Sequence, residues 1–292
     1  MRLFITGIRG LVGRHVARAA AAQGIGVFGC DSEAVKDGGF EAVKADITKP
    51  AEISAAVARA RPDAVIHAAA MTGVDDCERR RALASEVNVG GTANVCRAAA
   101  AAGAKLVFTS TAYVFDGRKG RYAESDVASP LNHYAETKRL AELEVLRLDD
   151  CAVSRLDVPY GWNPGGKDNF ATWLVKSLRA GERVSVVGDQ FNSPTYAPDL
   201  AGALLELCKG GYAGVYHTAG GDRISRLDFA VAAAHAFKLD DSLIQRCATA
   251  GLKQAAKRPF DCSLDSSRFE RRSGMRMLGA GEGLRRMGSD EK

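Results

Sequence analysis

Tyr134 and Lys138 set a phenol and an ammonium four residues apart in the string Tyr134-Ala135-Glu136-Thr137-Lys138. On a helix that spacing stacks both side chains on one face, one turn apart. A tyrosine titrates near pH ~10, and a neighbouring cation stabilises its phenolate and lowers that value. A phenol tuned this way suits proton transfer to or from a carbonyl oxygen during hydride transfer. Alone, the spacing is common on surface helices. Its weight comes from the stretch upstream, Thr109-Ser110-Thr111-Ala112-Tyr113-Val114-Phe115-Asp116-Gly117, and from the elements that must hold both.

Those elements alternate. Leu3-Phe4-Ile5 reads as a short buried strand running into Thr6-Gly7-Ile8-Arg9-Gly10-Leu11-Val12-Gly13, followed by an Ala-rich helix to Gln23 with Gly24 as its C-cap. Strand, G-x-x-G-x-x-G, helix is the context in which glycines permit a tight turn, close approach of a pyrophosphate, and packing of helix on strand. A second strand from Gly26 ends at Asp31, 18 residues past Gly13, where a carboxylate accepts from an adenosine ribose and repels a 2′-phosphate. That tilts the cofactor choice within NAD(H) or NADP(H) toward NAD(H). Asp46-Ile47, after a weak third strand, sits where a loop holds the adenine. A strand at Ala64-Val65-Ile66 ends in His67 and the small residues Ala68-Ala69-Ala70, against which a cofactor can lie; His67 itself reads as a packing or hydrogen-bonding residue. One helix is expected over residues 81–102, carrying Asn88, and then a buried strand Lys105-Leu106-Val107-Phe108 delivers Thr109, Ser110 and Thr111 to the same edge. The fold class is therefore α/β, a Rossmann-type doubly wound parallel sheet with a smaller C-terminal lobe.

Composition narrows the function classes. The chain has 292 residues, 46% apolar, and no apolar run near the ~18–20 residues that span a bilayer. Met1 leads almost at once into the first strand with no charged n-region, so the expected location is cytoplasmic, with no membrane partner. Seven scattered cysteines, never C-x-x-C, point to reduced thiols and no metal site. Of the net charge of +5, residues 251–292 carry +4 (ten Lys/Arg against six Asp/Glu), which reads as a solvated end, and no nucleic-acid partner is expected. His217 and His235 lack companions at metal spacing and read as structural.

Taken in order, Thr6-Gly7-x-x-Gly10-x-x-Gly13, Ala68-Ala69-Ala70, Asn88, Ser110-Thr111 and Tyr134-x-x-x-Lys138 resemble the extended short-chain dehydrogenases/reductases. Within that group, residues 110–117, Pro130-Leu131-Asn132, residues 166–170, residues 189–195, and Arg258-Pro259 before Ser263-Leu264-Asp265 are similar to dTDP-4-dehydrorhamnose reductases. The regulatory β subunit of methionine adenosyltransferase shares the framework. The resemblance covers about residues 2–270.

It implies a nucleotide-sugar substrate and a possible homodimer through helices near 82–102 and 132–147. By position it makes Tyr134 the general acid and Thr111 the partner of the substrate carbonyl. Lys138 would lower the Tyr134 pKa and hold the nicotinamide ribose. Gly7, Arg9, Gly10, Leu11, Val12, Gly13, Asp31, Asp46, Ile47, Ala68, Ala69, Ala70, Asn88 and Thr109 would line the cofactor, with Asn88 also organising the proton-relay end. Thr72, Ala112, Tyr113, Gln190, Thr195 and Arg258 would meet the substrate, Arg258 at its diphosphate.

Two departures fall on the substrate side. Ala112 stands where the family usually has Asp, and Leu156-Asp157-Val158-Pro159-Tyr160-Gly161-Trp162 replaces an aromatic-containing segment beside the sugar. Ala112-Tyr113 also lacks the acid–base pair of dehydratases, leaving reductase, epimerase and non-catalytic regulatory subunit as the readings to separate. The expected organisation is a dinucleotide-binding domain over 1–161, with later segments returning to it, a substrate lobe over 162–280, and a frayed tail over 281–292.

Overall fold

In the computed structural model, which describes residues 1–34 and 40–291, β1 (Arg2–Thr6) leads through α1 (Leu11–Ala22), β2 (Gly26–Asp31), β3 (Glu41–Lys44) and α2 (Pro50–Ala60) to β4 (Ala64–His67). Next come α3 (Val74–Arg79), α4 (Arg81–Ser85), a π-helical turn (Glu86–Gly90), α5 (Gly91–Ala101), β5 (Lys105–Thr111), α6 (His133–Val145) and β6 (Cys151–Leu156). The later chain adds β7 (Pro159–Tyr160), α7 (Phe170–Arg179), β8 (Val184–Val187), β9 (Phe191–Asn192), β10 (Thr195–Tyr196), α8 (Ala197–Leu207) and β11 (Gly214–His217). It closes with β12 (Ile224–Ser225), α9 (Arg226–Ala236), β13 (Ile244–Cys247), α10 (Ser267–Ser273) and α11 (Ala280–Ser289).

Seven strands form one sheet in the order β11-β6-β5-β4-β1-β2-β3, every pairing parallel. All seven residues of β5 are buried, as a central parallel strand covered on both faces requires. Strand order reverses between β1 and β4, and such a switch point opens a crevice at the carboxyl ends of the strands. Gly7, Asp31, His67 and Thr111 all arrive there.

The later chain does return to the sheet. β11 pairs with β6, and α8 packs Leu200, Ala201 and Leu204 with Val16, Ala17 and Ala20 of α1 in one core cluster. The lobe has its own core, in which Tyr160, Leu174, Val186, Phe229 and Leu284 pack together.

Two expectations are corrected here. The single helix over 81–102 is broken by the π-turn, which adds a residue to the coil and turns Asn88 inward. The frayed tail is instead α11, with Leu284 and Met287 fully buried; full burial of each contributes roughly 1.5–3 kcal/mol. Spacing of three puts both on one helix face, a signal masked by the glycines and charges around them. Gly283 is needed because a Cβ there would collide with the Tyr160 hydroxyl. Lys292 lies outside the described residues.

Candidate active site

A cleft of about 1280 Å³ runs along the carboxyl edge of the sheet. Its first half is built from backbone. Gly7 adopts φ +69°, and a Cβ on it would stand 2.9 Å from the Ala69 backbone; one on Gly13 would strike the Gly7 carbonyl. Gly10 caps α1 with no side-chain acceptor, so the first-turn N–H groups of Leu11, Val12 and Gly13 face the cleft with the positive end of the helix dipole. This cradle fits a pyrophosphate. At the end of β2, the Asp31 carboxylate accepts from the Arg9 N–H (3.2 Å), while the Arg9 guanidinium pairs with Glu33. Asp46 and Ile47 line the far end, Asp46 fixed by Thr48 (2.9 Å) and the Ile47 carbonyl by Asn94 (2.8 Å).

The wall at Ala68, Ala69 and Ala70 is secured from beneath. Thr6 Oγ1 accepts from the Ala69 N–H (3.2 Å) and bonds His67 Nδ1 (2.7 Å), and His67 Nε2 reaches Thr92 (3.0 Å). Burial drives the His67 pKa down to about 3, so the ring is neutral and structural. Asn88 bonds both backbone groups of Met71 (2.8 and 3.1 Å) and donates to Thr137 (3.0 Å). It clamps the turn that leads to Thr72 and does not itself line the cleft.

The Tyr134/Lys138 pair sits at the middle. Asn132 caps α6 by accepting from the Ala135 N–H (3.0 Å), which sets Tyr134 in the first turn and Lys138 one turn later. Thr111, Tyr113, Tyr134 and Lys138 all line the cleft. Tyr113 packs edge-on against Tyr134, ring centroids 6.4 Å apart. Lys138 Nζ donates to the Thr109 carbonyl (2.7 Å) and stands 4.1 Å from the Phe108 ring centroid. Burial lowers its pKa to about 7, with Glu142 one turn on pulling it back up.

The Tyr134 phenol is pushed above its ordinary value by burial, opposed by its hydrogen bond with Thr111. A Lys138-lowered phenol was the expectation. The geometry corrects it, because the ammonium is directed to the Thr109 carbonyl and Phe108, and desolvation dominates.

Sequence reasoning missed a network beneath this group. Glu142 is fully buried and accepts from Arg155 Nε and Nη2 (both 2.8 Å), Ser110 (2.6 Å) and Arg139 (2.9 Å). Its signal was the i+4 spacing from Lys138.

The substrate half departs most from expectation. Ala112 is fully buried in a packed cluster and off the cleft. Thr195 is also fully buried, donating to the Asp157 carbonyl (2.7 Å), and Gln190 donates to Thr249 (2.9 Å). Arg258 pairs with Asp75 (3.0 Å) and donates to the Ala256 carbonyl (2.7 Å). None of these four lines the cleft; Asp157, Val158, Asn169, Phe170 and Arg226 do. Asp157 is buried, accepts from the Ser193 N–H (2.7 Å) and Asn192 Nδ2 (3.2 Å), and burial raises its pKa to about 6 against those bonds. Val158 holds φ +35°.

A parallel sheet of this order, a glycine cradle at its switch point and a Tyr/Lys pair on the adjoining helix define an extended short-chain dehydrogenase/reductase. The chain belongs to the family described as RmlD substrate binding domain, which matches residues 1–290. It is 36% identical over 272 residues to a dTDP-4-dehydrorhamnose reductase of Mycolicibacterium smegmatis, covering 91% of this chain and 79% of that protein. It is 31% identical over 277 residues to methionine adenosyltransferase 2 subunit beta of Xenopus laevis, covering 92% and 82%. The crystal structure of a Bacillus anthracis dTDP-4-dehydrorhamnose reductase in complex with NADP superposes with a TM-score of 0.89 at 29% identity, covering 98% of each chain.

Proposed function

We propose that the protein reduces a nucleotide-linked 4-keto-6-deoxy sugar with NADH or NADPH, Tyr134 giving the proton. The observation that carries this reading is the meeting of Thr111, Tyr134 and Lys138 on the same cleft as the pyrophosphate cradle. A bound nicotinamide supplies hydride to the carbonyl carbon. The carbonyl oxygen then becomes alkoxide-like, a stronger base than phenolate, so the proton moves downhill from Tyr134 although burial raises its pKa. That same burial keeps the phenol protonated before the step. Thr111 shares its hydroxyl with Tyr134 and supports the accepting oxygen. Lys138, tied to the Thr109 carbonyl at 2.7 Å, holds the nicotinamide ribose. Gly7, Leu11, Val12 and Gly13 hold the pyrophosphate, and Asp31 the adenosine ribose.

The substrate class follows from similarity to the mycobacterial reductase. A cytoplasmic homodimer completes the reading. Among the described residues no helix is long and apolar enough to cross a membrane, and Leu140 and Leu143 leave an exposed apolar stripe on α6. A second reading, a dinucleotide-binding regulatory subunit, is favoured by the likeness to the Xenopus laevis protein and by the burial of Ala112. NADH and NADPH oxidation across a panel of nucleotide-linked 4-keto sugars separates them. The reductase reading predicts turnover with at least one; cofactor binding with no turnover on any would hand the protein to the regulatory reading.

A further inference from the structure

The expected diphosphate ligand, Arg258, is neutralised where it stands. Its guanidinium is 3.0 Å from Asp75, gives another hydrogen bond to the Ala256 carbonyl, and does not line the cleft. A second arginine behaves in the opposite way. Arg226, the first residue of α9, lines the cleft, and its guanidinium lies 5.4 Å from the ring centroid of Phe170, which lines it too. Among the described residues no carboxylate lies within ion-pair distance of Arg226, and its Nε is buried without an acceptor. Asp157 feels its charge without pairing with it, and a buried guanidinium N–H with no acceptor costs free energy unless a ligand completes it.

The other cations on the cleft are engaged or stand elsewhere. Arg9 pairs with Glu33, Arg14 donates to the Pro164 carbonyl, and Lys138 donates to the Thr109 carbonyl. Lys49 and Lys167 belong to the adenosine end, the first beside Asp46 and the second close enough to Glu33 to act on its charge. Arg226 instead acts on the phenol of Tyr113, more strongly than Arg258 does, and the Tyr113 ring packs against Tyr134. On a pyranose the anomeric carbon, which bears the diphosphate, lies across the ring from C4. A cation one side chain removed from the proton donor is therefore placed for the group on C1. The planar fork of arginine matches two phosphate oxygens at once.

We propose that Arg226, rather than Arg258, takes the diphosphate of a nucleotide-linked substrate. The assignment rests on the reductase reading above. Asp157 is the anion on the same wall. Its lone pairs are occupied by the Ser193 N–H, Asn192 and the Cys262 thiol, which spread its charge away from the incoming phosphate.

Calorimetric titration of the NADH-saturated protein with dTDP, UDP and thymidine tests it. Arg226→Gln should weaken the diphosphates at least tenfold, leave NADH and thymidine affinity unchanged, and cost more than Arg258→Gln. Arg226→Lys should recover part of the loss, because the charge returns without the fork; it also serves if the glutamine variant does not fold. Equal diphosphate affinity in wild type and Arg226→Gln, or a larger loss in Arg258→Gln, overturns the assignment alone. Failure of wild type to bind any nucleoside diphosphate while NADH binds normally overturns it together with the nucleotide-sugar reading.

Discussion

The two halves of the cleft are made in different ways. The cofactor half is backbone and small residues, set by short stretches whose geometry is local: a turn that only glycine can make, a helix start, a strand end of three alanines. The half proposed for the substrate is side chains brought together from distant segments, Tyr113, Asp157, Phe170 and Arg226, with a buried carboxylate raised to about 6 and an arginine whose Nε lacks an acceptor. Backbone recognition tolerates drift in the surrounding sequence, whereas side-chain recognition changes with single residues. One family can therefore keep its dinucleotide and change what it acts on.

Substitutions should divide along that line. The largest effect is expected at Tyr134, where Tyr134→Phe removes the proposed proton donor and keeps the ring. Turnover should fall ~10²–10⁴-fold while NADH affinity stays at its wild-type value, measured by steady-state kinetics and fluorescence titration. Lys138→Ala should weaken NADH binding, since on the proposed reading it holds the nicotinamide ribose; wild-type turnover in Tyr134→Phe would mean that another group is the acid.

Asp157→Asn comes next and acts on stability. A carboxyl whose folded pKa is raised from 3.8 to about 6 adds stability below the lower value and forfeits it as pH rises through the upper one. The loss is about 3 kcal/mol by neutral pH. The asparagine variant should thus gain on wild type between pH 4 and 7.5 in urea titrations. A constant difference across that range would show that the Asp157 charge is compensated within the fold.

The smallest effect belongs to the cofactor half. Two carboxylates, Asp31 and Glu33, stand beside the single guanidinium of Arg9, an arrangement that repels a 2′-phosphate. NADH should bind at least as tightly as NADPH, and Asp31→Ala should narrow the gap. Tenfold tighter NADPH binding to the wild type, by titration, would contradict this.

The same division governs what could be read from the sequence. Gly7, Gly10 and Gly13 could be placed at one turn because strand, turn and helix are contiguous, and Tyr134 and Lys138 on one cleft wall because four residues is one helical turn. Asn88 was found but its partner was not; the π-turn that aims it at Met71 arises from packing within an otherwise continuous helical pattern. The ion pair of Arg258 could not be read, because its partner, Asp75, lies far away in the chain. Arg226 stood inside an ordinary helical start, and only tertiary structure turns it to the cleft. Ala112 was read as a cleft residue, yet the short turn after β5 rotates it into the core and presents Tyr113 instead.

Val158 holds a backbone conformation that a β-branched residue rarely adopts, at a cost on the order of 1–3 kcal/mol. Its carbonyl is fixed by the Thr195 N–H at 3.2 Å, so the chain cannot relax without moving the wall on which Asp157 sits. Glycine at this position would relieve the strain, and Val158→Gly should raise the melting temperature in a thermal scan; an unchanged or lower value would mean that side-chain packing outweighs the strain. If the wall carrying Asp157 meets the substrate as proposed, relaxing Val158 would move a recognition surface as well as relieve strain. On that reading, selection for survival at high temperature alone would act on this position and shift selectivity as a by-product.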